Sequence, residues 1–200
     1  MLGTAGNVSA RIGDRVAISP TGAQLAQLEA EQVTIVDLAG GVIDGDLAPT
    51  SELDLHLGVY RREDGTGAVV HTHAPMATAL SCVLDELPCV HYGMLAFGGA
   101  VRVAPYETFG SPELADAVLD ALNGRTVALM QNHGAIACAA TPNAAVDLSL
   151  QLEWACSVYW HAAQIGTPRV LSTDELDAVV RTVVERGYGR TQVLDREAER

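Results

Sequence analysis

Lysine is absent from this chain, and its twelve basic residues are all arginine. Without a side-chain amine, covalent catalysis through a lysine Schiff base to a carbonyl substrate is excluded. Positive charge is scarce as well: twelve arginines face twenty-five Asp and Glu, giving a formal charge of -13, with the acids spread along the chain and not gathered in a tail. Such a surface repels polyanions, so nucleic acid and anionic membrane are excluded as expected partners. A small anion can still be held by a local nest of backbone N–H groups. No basic segment followed by an apolar run opens the chain, and no apolar stretch is long enough to span a bilayer, so a soluble cytoplasmic protein is expected. Cysteine is sparse: Cys82, Cys89, Cys138 and Cys156 lie in or beside apolar runs without a CxxC pair. They read as small buried hydrophobes in a reducing compartment, not as a disulfide framework. The GxxxxGK[ST] phosphate loop is missing too. No linker, repeat or low-complexity run divides the 200 residues, and a hydrophobic fraction of 48% supplies one core, so a single domain over 1–200 is expected.

What the chain does contain is a succession of short elements. Val16, Ala17 and Ile18 read as a strand after the Gly13-Asp14 turn, and VTIVDL and VIDGD form a hairpin around Gly40-Gly41. Leu53, His56, Leu57 and Tyr60 fall at helical spacing, with Thr50 or Ser51 as the cap. GAVVHTHAP is a strand running into Pro75, followed by a helix over MATALSCVL. LPCVHYGM and AVRVAPY read as further strands, and SPELADAVLDAL as a helix capped by Ser111 with Pro112 in its first turn. TVALMQNHGAIACAA gives two strands meeting at Asn132-His133-Gly134, and a long helix runs from Thr141 to near Gly166. Strands and helices in this irregular order predict one layered α/β domain rather than a Rossmann domain or a (β/α)8 barrel.

His71-Thr72-His73 is the sharpest local signal. Residues two apart on a strand face the same way, so both imidazoles can reach one ion. Zinc accepts neutral imidazole, and a catalytic site usually has three protein ligands and an open position. His133 is the best third ligand, because Gly134 beside it lets the backbone pass close. Glu52 is the leading acid/base candidate, with a helix-terminal structural role as the competing reading. Gly3 to Ser9, Thr21-Gly22 and Thr50-Ser51 offer hydroxyls and glycine-exposed N–H groups that can cradle a phosphate without Lys or Arg.

The ordered set GTAGNVS, ISPTG, PTSELDLH, HTHAP, HYGML, APYETFGSPELAD and QNHGAI resembles the class II aldolase/adducin family over nearly the whole chain. The resemblance implies a three-layer α/β/α domain with a mixed, mostly antiparallel central sheet. It implies zinc, one per subunit, on His71, His73 and His133, with Glu52 as a catalytic residue that also ligates the ion when substrate is absent. Thr4, Asn7, Thr21, Gly22, Thr50 and Ser51 match the family's phosphate-binding positions, Tyr92 a catalytic tyrosine, and Tyr188 a C-terminal tyrosine that closes over the site. The implied reaction is zinc-dependent reversible aldol cleavage of L-fuculose 1-phosphate or a related ketose 1-phosphate. Its products would be dihydroxyacetone phosphate and an aldehyde such as L-lactaldehyde. A homotetramer with active sites at subunit boundaries is also implied. Family members usually carry a helix before GTAGN, and this chain begins almost on that motif. The alternatives within the resemblance are L-ribulose-5-phosphate 4-epimerase, methylthioribulose-1-phosphate dehydratase and a non-enzymatic adducin-like domain. Glu52 in PTSE favours an aldolase, since the epimerases resemble an aspartate pattern there, and the three histidines disfavour the non-enzymatic reading.

Overall fold

A computed structural model describes residues 3–187. Tyr188 therefore lies outside the described residues. Nine strands form one sheet: β1 (Asn7–Ile12), β2 (Arg15–Ile18), β3 (Thr34–Asp37), β4 (Val42–Asp44), β5 (Ala68–Thr72), β6 (Glu86–Leu87), β7 (Val101–Ala104), β8 (Val127–Met130) and β9 (Gly134–Ala139). Their order is β4-β3-β2-β1-β5-β9-β8-β7-β6. Every neighbouring pair is antiparallel except β7 with β8. The sheet is thus mixed and mostly antiparallel, as the family resemblance implies.

Helices cover both faces, making three layers. On one side α1 (Leu53–Arg62) and α3 (Pro112–Ala121) pack against Val69, Ala128, Met130, Ile136 and Cys138. On the other, α2 (Pro75–Ser81) and α4 (Pro142–Ile165) pack against Val127, Leu129, Ala135 and Ala137. Alternate residues of β8 and β9 enter opposite cores, which is why these strands read as continuous apolar runs. Among the described residues, no helix is long and apolar enough to cross a membrane.

Three local expectations change. LPCVHYGM is not one strand: β6 ends at Leu87, and His91 caps a 3-10 turn over Tyr92–Phe97, its Nδ1 accepting from Gly93 N–H at 3.0 Å. The imidazole offers the backbone a local partner, and a spacing of three then buries Met94 and Phe97. Neither Thr50 nor Ser51 caps α1; Glu52 occupies that position without a side-chain cap, because its carboxylate turns inward to other partners. A fifth helix, α5 (Thr173–Arg186), follows a capping box in which Ser172 and Glu175 satisfy each other's backbone N–H groups.

The α2 N-terminus is capped from a distance. Glu153 of α4 accepts from Met76 and Ala77 N–H at 2.9 and 2.8 Å, so a carboxylate meets the positive end of the helix that starts two residues after His73. This ties the end of β5 to the α4 layer.

Candidate metal centre and substrate pocket

The sheet register brings the histidines together. His71 on β5 lies between Asn7 of β1 and Ile136 of β9, and His73 follows on the same side just past the strand end. His133 sits in the tight β8–β9 turn, where Asn132 adopts φ 55° and His133 N–H donates to Met130 O. The three ring centroids are 4.8 to 4.9 Å apart pairwise. Their ligand nitrogens lie within 4.8 Å of one another, and Nε2 of His71 and His73 are 2.9 Å apart. Gly134 makes this approach possible: a Cβ there would sit 2.3 Å from Thr72 O and 3.1 Å from His73 Cδ2. Gly134→Ala is expected to push the turn off His73 and weaken metal binding by about 10- to 100-fold, read by titration with a competing chelator. Undiminished affinity in that variant would mean the approach is not needed.

The protonation of the cluster follows from its partners. His71 Nδ1 is 3.0 Å from Ala135 O, and a carbonyl only accepts, so Nδ1 carries the proton and the Nε2 lone pair faces the site. Burial, then the nearby His133 and His73, pushes His71 down to about 3, and burial followed by His133 lowers His73. Neutral imidazoles offer lone pairs to a cation rather than competing with it. Glu52 completes the donor set: it is 5% exposed, with Oε2 3.2 Å from His71 Nε2 and Oε1 3.5 Å from His133 Nε2. Oε1 is buried without a hydrogen-bond partner. A buried, unpaired carboxylate oxygen beside three convergent imidazoles fits a divalent ion that takes N and O ligands.

A cavity of about 300 Å³ opens above this cluster. Its wall includes Thr4, Asn7, Thr21, Gly22, Thr50 and Ser51, all six residues expected at a phosphate. Glu52, His73 and His133 line it as well, while His71 is fully buried behind them. The N–H groups of Thr21 and Thr50 already donate to Ala48 O and Ser19 O, so these residues offer an anion their hydroxyls. Gly22 adopts φ +72° with open space where a Cβ would project, leaving its backbone accessible. None of the described residues lining the cavity is an arginine.

The sequence reading missed part of this wall. Tyr106, Glu107 and Phe109 also line the cavity, brought there by a loop whose Gly110 passes so close to Ser51 that a Cβ would lie 2.8 Å from its carbonyl oxygen. Tyr106 N–H donates to Gln131 Oε1, fastening that loop to the His133 turn. Tyr92 is not brought to this cavity. It begins the 3-10 turn, stacks on the His91 ring at 4.4 Å and is 44% exposed. His56, whose helical context gave it little weight in sequence, proves fully buried one turn beyond Glu52.

Comparison with known proteins gives consistent matches. The profile of the Class II Aldolase and Adducin N-terminal domain matches residues 1–160. A 5-deoxy-D-ribulose 1-phosphate aldolase of Bacillus thuringiensis is 40% identical over 94% of this chain and 88% of its own length. A 5-methylthioribulose-1-phosphate/5-deoxyribulose-1-phosphate aldolase of Rhodospirillum rubrum is 38% identical over 89% of this chain and 80% of its own. Among solved structures, an L-fuculose 1-phosphate aldolase superposes with a TM-score of 0.88 at 32% identity, covering 92% of this chain and 88% of that one.

Proposed function

Given that the chain belongs to the class II aldolase and adducin family and is a lyase of the metal-dependent class, we propose that it cleaves a deoxyketose 1-phosphate to dihydroxyacetone phosphate and a short aldehyde, reversibly and with zinc. The observation that carries this reading is a single cavity joining the three-histidine cluster and Glu52 to a cradle of hydroxyls. L-Fuculose 1-phosphate would yield L-lactaldehyde, and 5-deoxyribulose 1-phosphate would yield acetaldehyde. The names of the relatives support both, and they share a methyl terminus where other ketose phosphates carry a hydroxyl. Tyr106 and Phe109, 60% and 67% exposed at the cavity wall, offer that terminus apolar surface.

The chain's own residues divide the work by position. Hydroxyls of Thr4, Thr21, Thr50 and Ser51, with the backbone at Gly22, donate to the phosphate, and Asn7 stands between this group and Glu52. His71, His73 and His133 would hold the zinc, and a divalent cation bound there would supply Lewis acidity that lowers the cost of negative charge on the ketose oxygens. On cleavage the C4 hydroxyl gives its proton to solvent, which returns one to the Glu52 carboxylate, while the C3–C4 electron pair moves toward C2 and C4 leaves as the aldehyde. Glu52 then delivers a proton to C3, and in condensation it removes the same proton. Tyr92 assists the charge change on the aldehyde side from a neighbouring subunit, a role suited to its half-exposed place outside its own cavity. Four free cysteines suit such an enzyme to the cytoplasm.

A metal-replete assay across fuculose 1-phosphate, 5-deoxyribulose 1-phosphate, methylthioribulose 1-phosphate and ribulose 5-phosphate tests the reading. The deoxyketose 1-phosphates should be cleaved with the highest kcat/KM. Epimerisation of ribulose 5-phosphate without net cleavage would overturn it. A fully active monomer by light scattering would remove the shared-site role of Tyr92 and the expected homotetramer.

A further inference from the structure

Behind Glu52 lies a line of buried polar groups that the reaction as described does not use. Glu52, His56 and Tyr60 are spaced four apart along one face of α1, and Asn7 and Ser9 two apart along one face of β1. Four helical residues rise about 6 Å and two strand residues about 6.7 Å, so the two rows interdigitate in near register. Asn7 Nδ2 donates to Glu52 Oε2 at 2.9 Å, Asn7 Oδ1 meets His56 Nε2, His56 Nδ1 meets Ser9 Oγ at 2.6 Å, and Ser9 Oγ meets Tyr60 Oη at 2.7 Å. All five residues are buried, and His56 is entirely so.

Chemistry fixes the direction of every link. An ionised carboxylate accepts, so Asn7 must present its amide nitrogen to Glu52 and its oxygen to His56. His56 therefore carries its proton on Nε2 and accepts at Nδ1. Ser9 must donate to Nδ1, and its oxygen then accepts from Tyr60. Burial keeps both ends of this logic in place: it pushes His56 down to about 3 and Tyr60 up to about 12, so the ring stays neutral and the phenol protonated. Arg11, next in the β1 row, clamps the far end by donating to Tyr60 O at 2.8 Å.

We propose that His56 is a positioning residue that acts on Glu52 through Asn7, anchoring Oε2 so that Oε1 is the oxygen exchanging protons with substrate. The inference rests on the reading of Glu52 as the proton carrier. Oε2 already receives the Asn7 N–H, whereas Oε1 is unpaired and lies on the His133 side. A carboxylate free to rotate would present either oxygen. The row behind it removes that freedom, and about 1 Å of misplacement at a reacting group can cost 10²-fold in rate.

The test combines kinetics with a measurement independent of turnover. In the metal-loaded enzyme, His56→Leu should retain its metal and its KM while kcat falls between about 10- and 100-fold. His56→Gln should recover part of the loss, because its amide can donate to Asn7 and its carbonyl can accept from Ser9. In a Glu52→Gln background, His56→Leu should cost nothing further, since the two act through one group. Ser9→Ala, which removes the donor to His56 Nδ1, provides the same readouts if His56→Leu does not fold. Nitrogen-15 spectra of the wild type should show His56 as the neutral Nε2–H tautomer. The proposal is overturned by parental kcat in a folded His56→Leu enzyme, by an equal loss in the Glu52→Gln background, or by an Nδ1–H tautomer. If the wild type cleaves no ketose phosphate, the functional reading fails, and the tautomer still decides the direction of the network.

Discussion

Replacing Glu52 with glutamine should lower kcat by about 10²- to 10⁴-fold while leaving the metal in place, the range that a positioned acid/base group contributes. The substitution is nearly isosteric, and Gln can still offer an oxygen to Asn7 Nδ2, so the buried contact that orients the side chain survives. What it loses is the capacity to take a proton. All three imidazoles remain, so metal content should stay near one equivalent per chain. The loss corresponds to about 2.7 to 5.5 kcal/mol on the barrier. Proton exchange isolates the step. Dihydroxyacetone phosphate incubated in heavy water with the parental enzyme, without aldehyde, should acquire deuterium at C3, and the variant should slow this as much as it slows cleavage. Exchange and cleavage at the parental rate in a metal-loaded variant would remove Glu52 from its assigned role.

Removing the metal should have a comparably large effect. Lewis-acid stabilisation of developing charge contributes several kcal/mol, so chelation should reduce cleavage by about 10³-fold or more, with zinc restoring it. His71→Ala/His73→Ala should abolish metal binding and resist rescue. The two treatments differ in stability. Chelation leaves the imidazoles packed, whereas His71→Ala empties a fully buried site and also frees the Ala135 carbonyl from its donor. Saturating zinc should raise the melting temperature of the parental protein, by linkage to about 4 kcal/mol at a thousandfold excess over Kd. Parental activity after complete chelation, verified by metal analysis, would exclude a metal-dependent mechanism.

Some parts of the molecule were legible in sequence because their signal is local. His71 lies on β5 and His73 two residues on, just past its end, where the extended chain continues the alternation of the pleat and places both on one side. β8, β9, α3 and α4 carry long apolar or capped patterns and appear where those patterns predict them. β1 shows the opposite case. Its inward residues are Asn7 and Ser9, buried and polar, so the alternation that reveals an ordinary strand is inverted where the strand serves the site. LPCVHYGM misled for another reason: its apolar residues suit a strand, yet the His91 side chain captures a backbone N–H and turns the chain. The capping box before α5 was present as Ser172 to Glu175, and Leu176, Val179, Val180 and Val183 recur behind it at helical spacing, so this helix was legible in sequence although it buries no residue among those described.

Sequence by itself determined the chemistry that is possible here. It ruled out a lysine Schiff base, placed two imidazoles on one face of a strand, supplied a third beside a glycine, and spread small hydroxyl residues through three turns. Only the tertiary structure decided that His133, sixty residues after His73, closes the same cluster, that Glu52 turns away from its helix to face it, and that Tyr92 stands outside its own chain's cavity. Backbone periodicity fixes the direction of a side chain over a few residues. Convergence between distant segments depends on sheet register and on which face each helix buries, and those are settled by packing of the whole core.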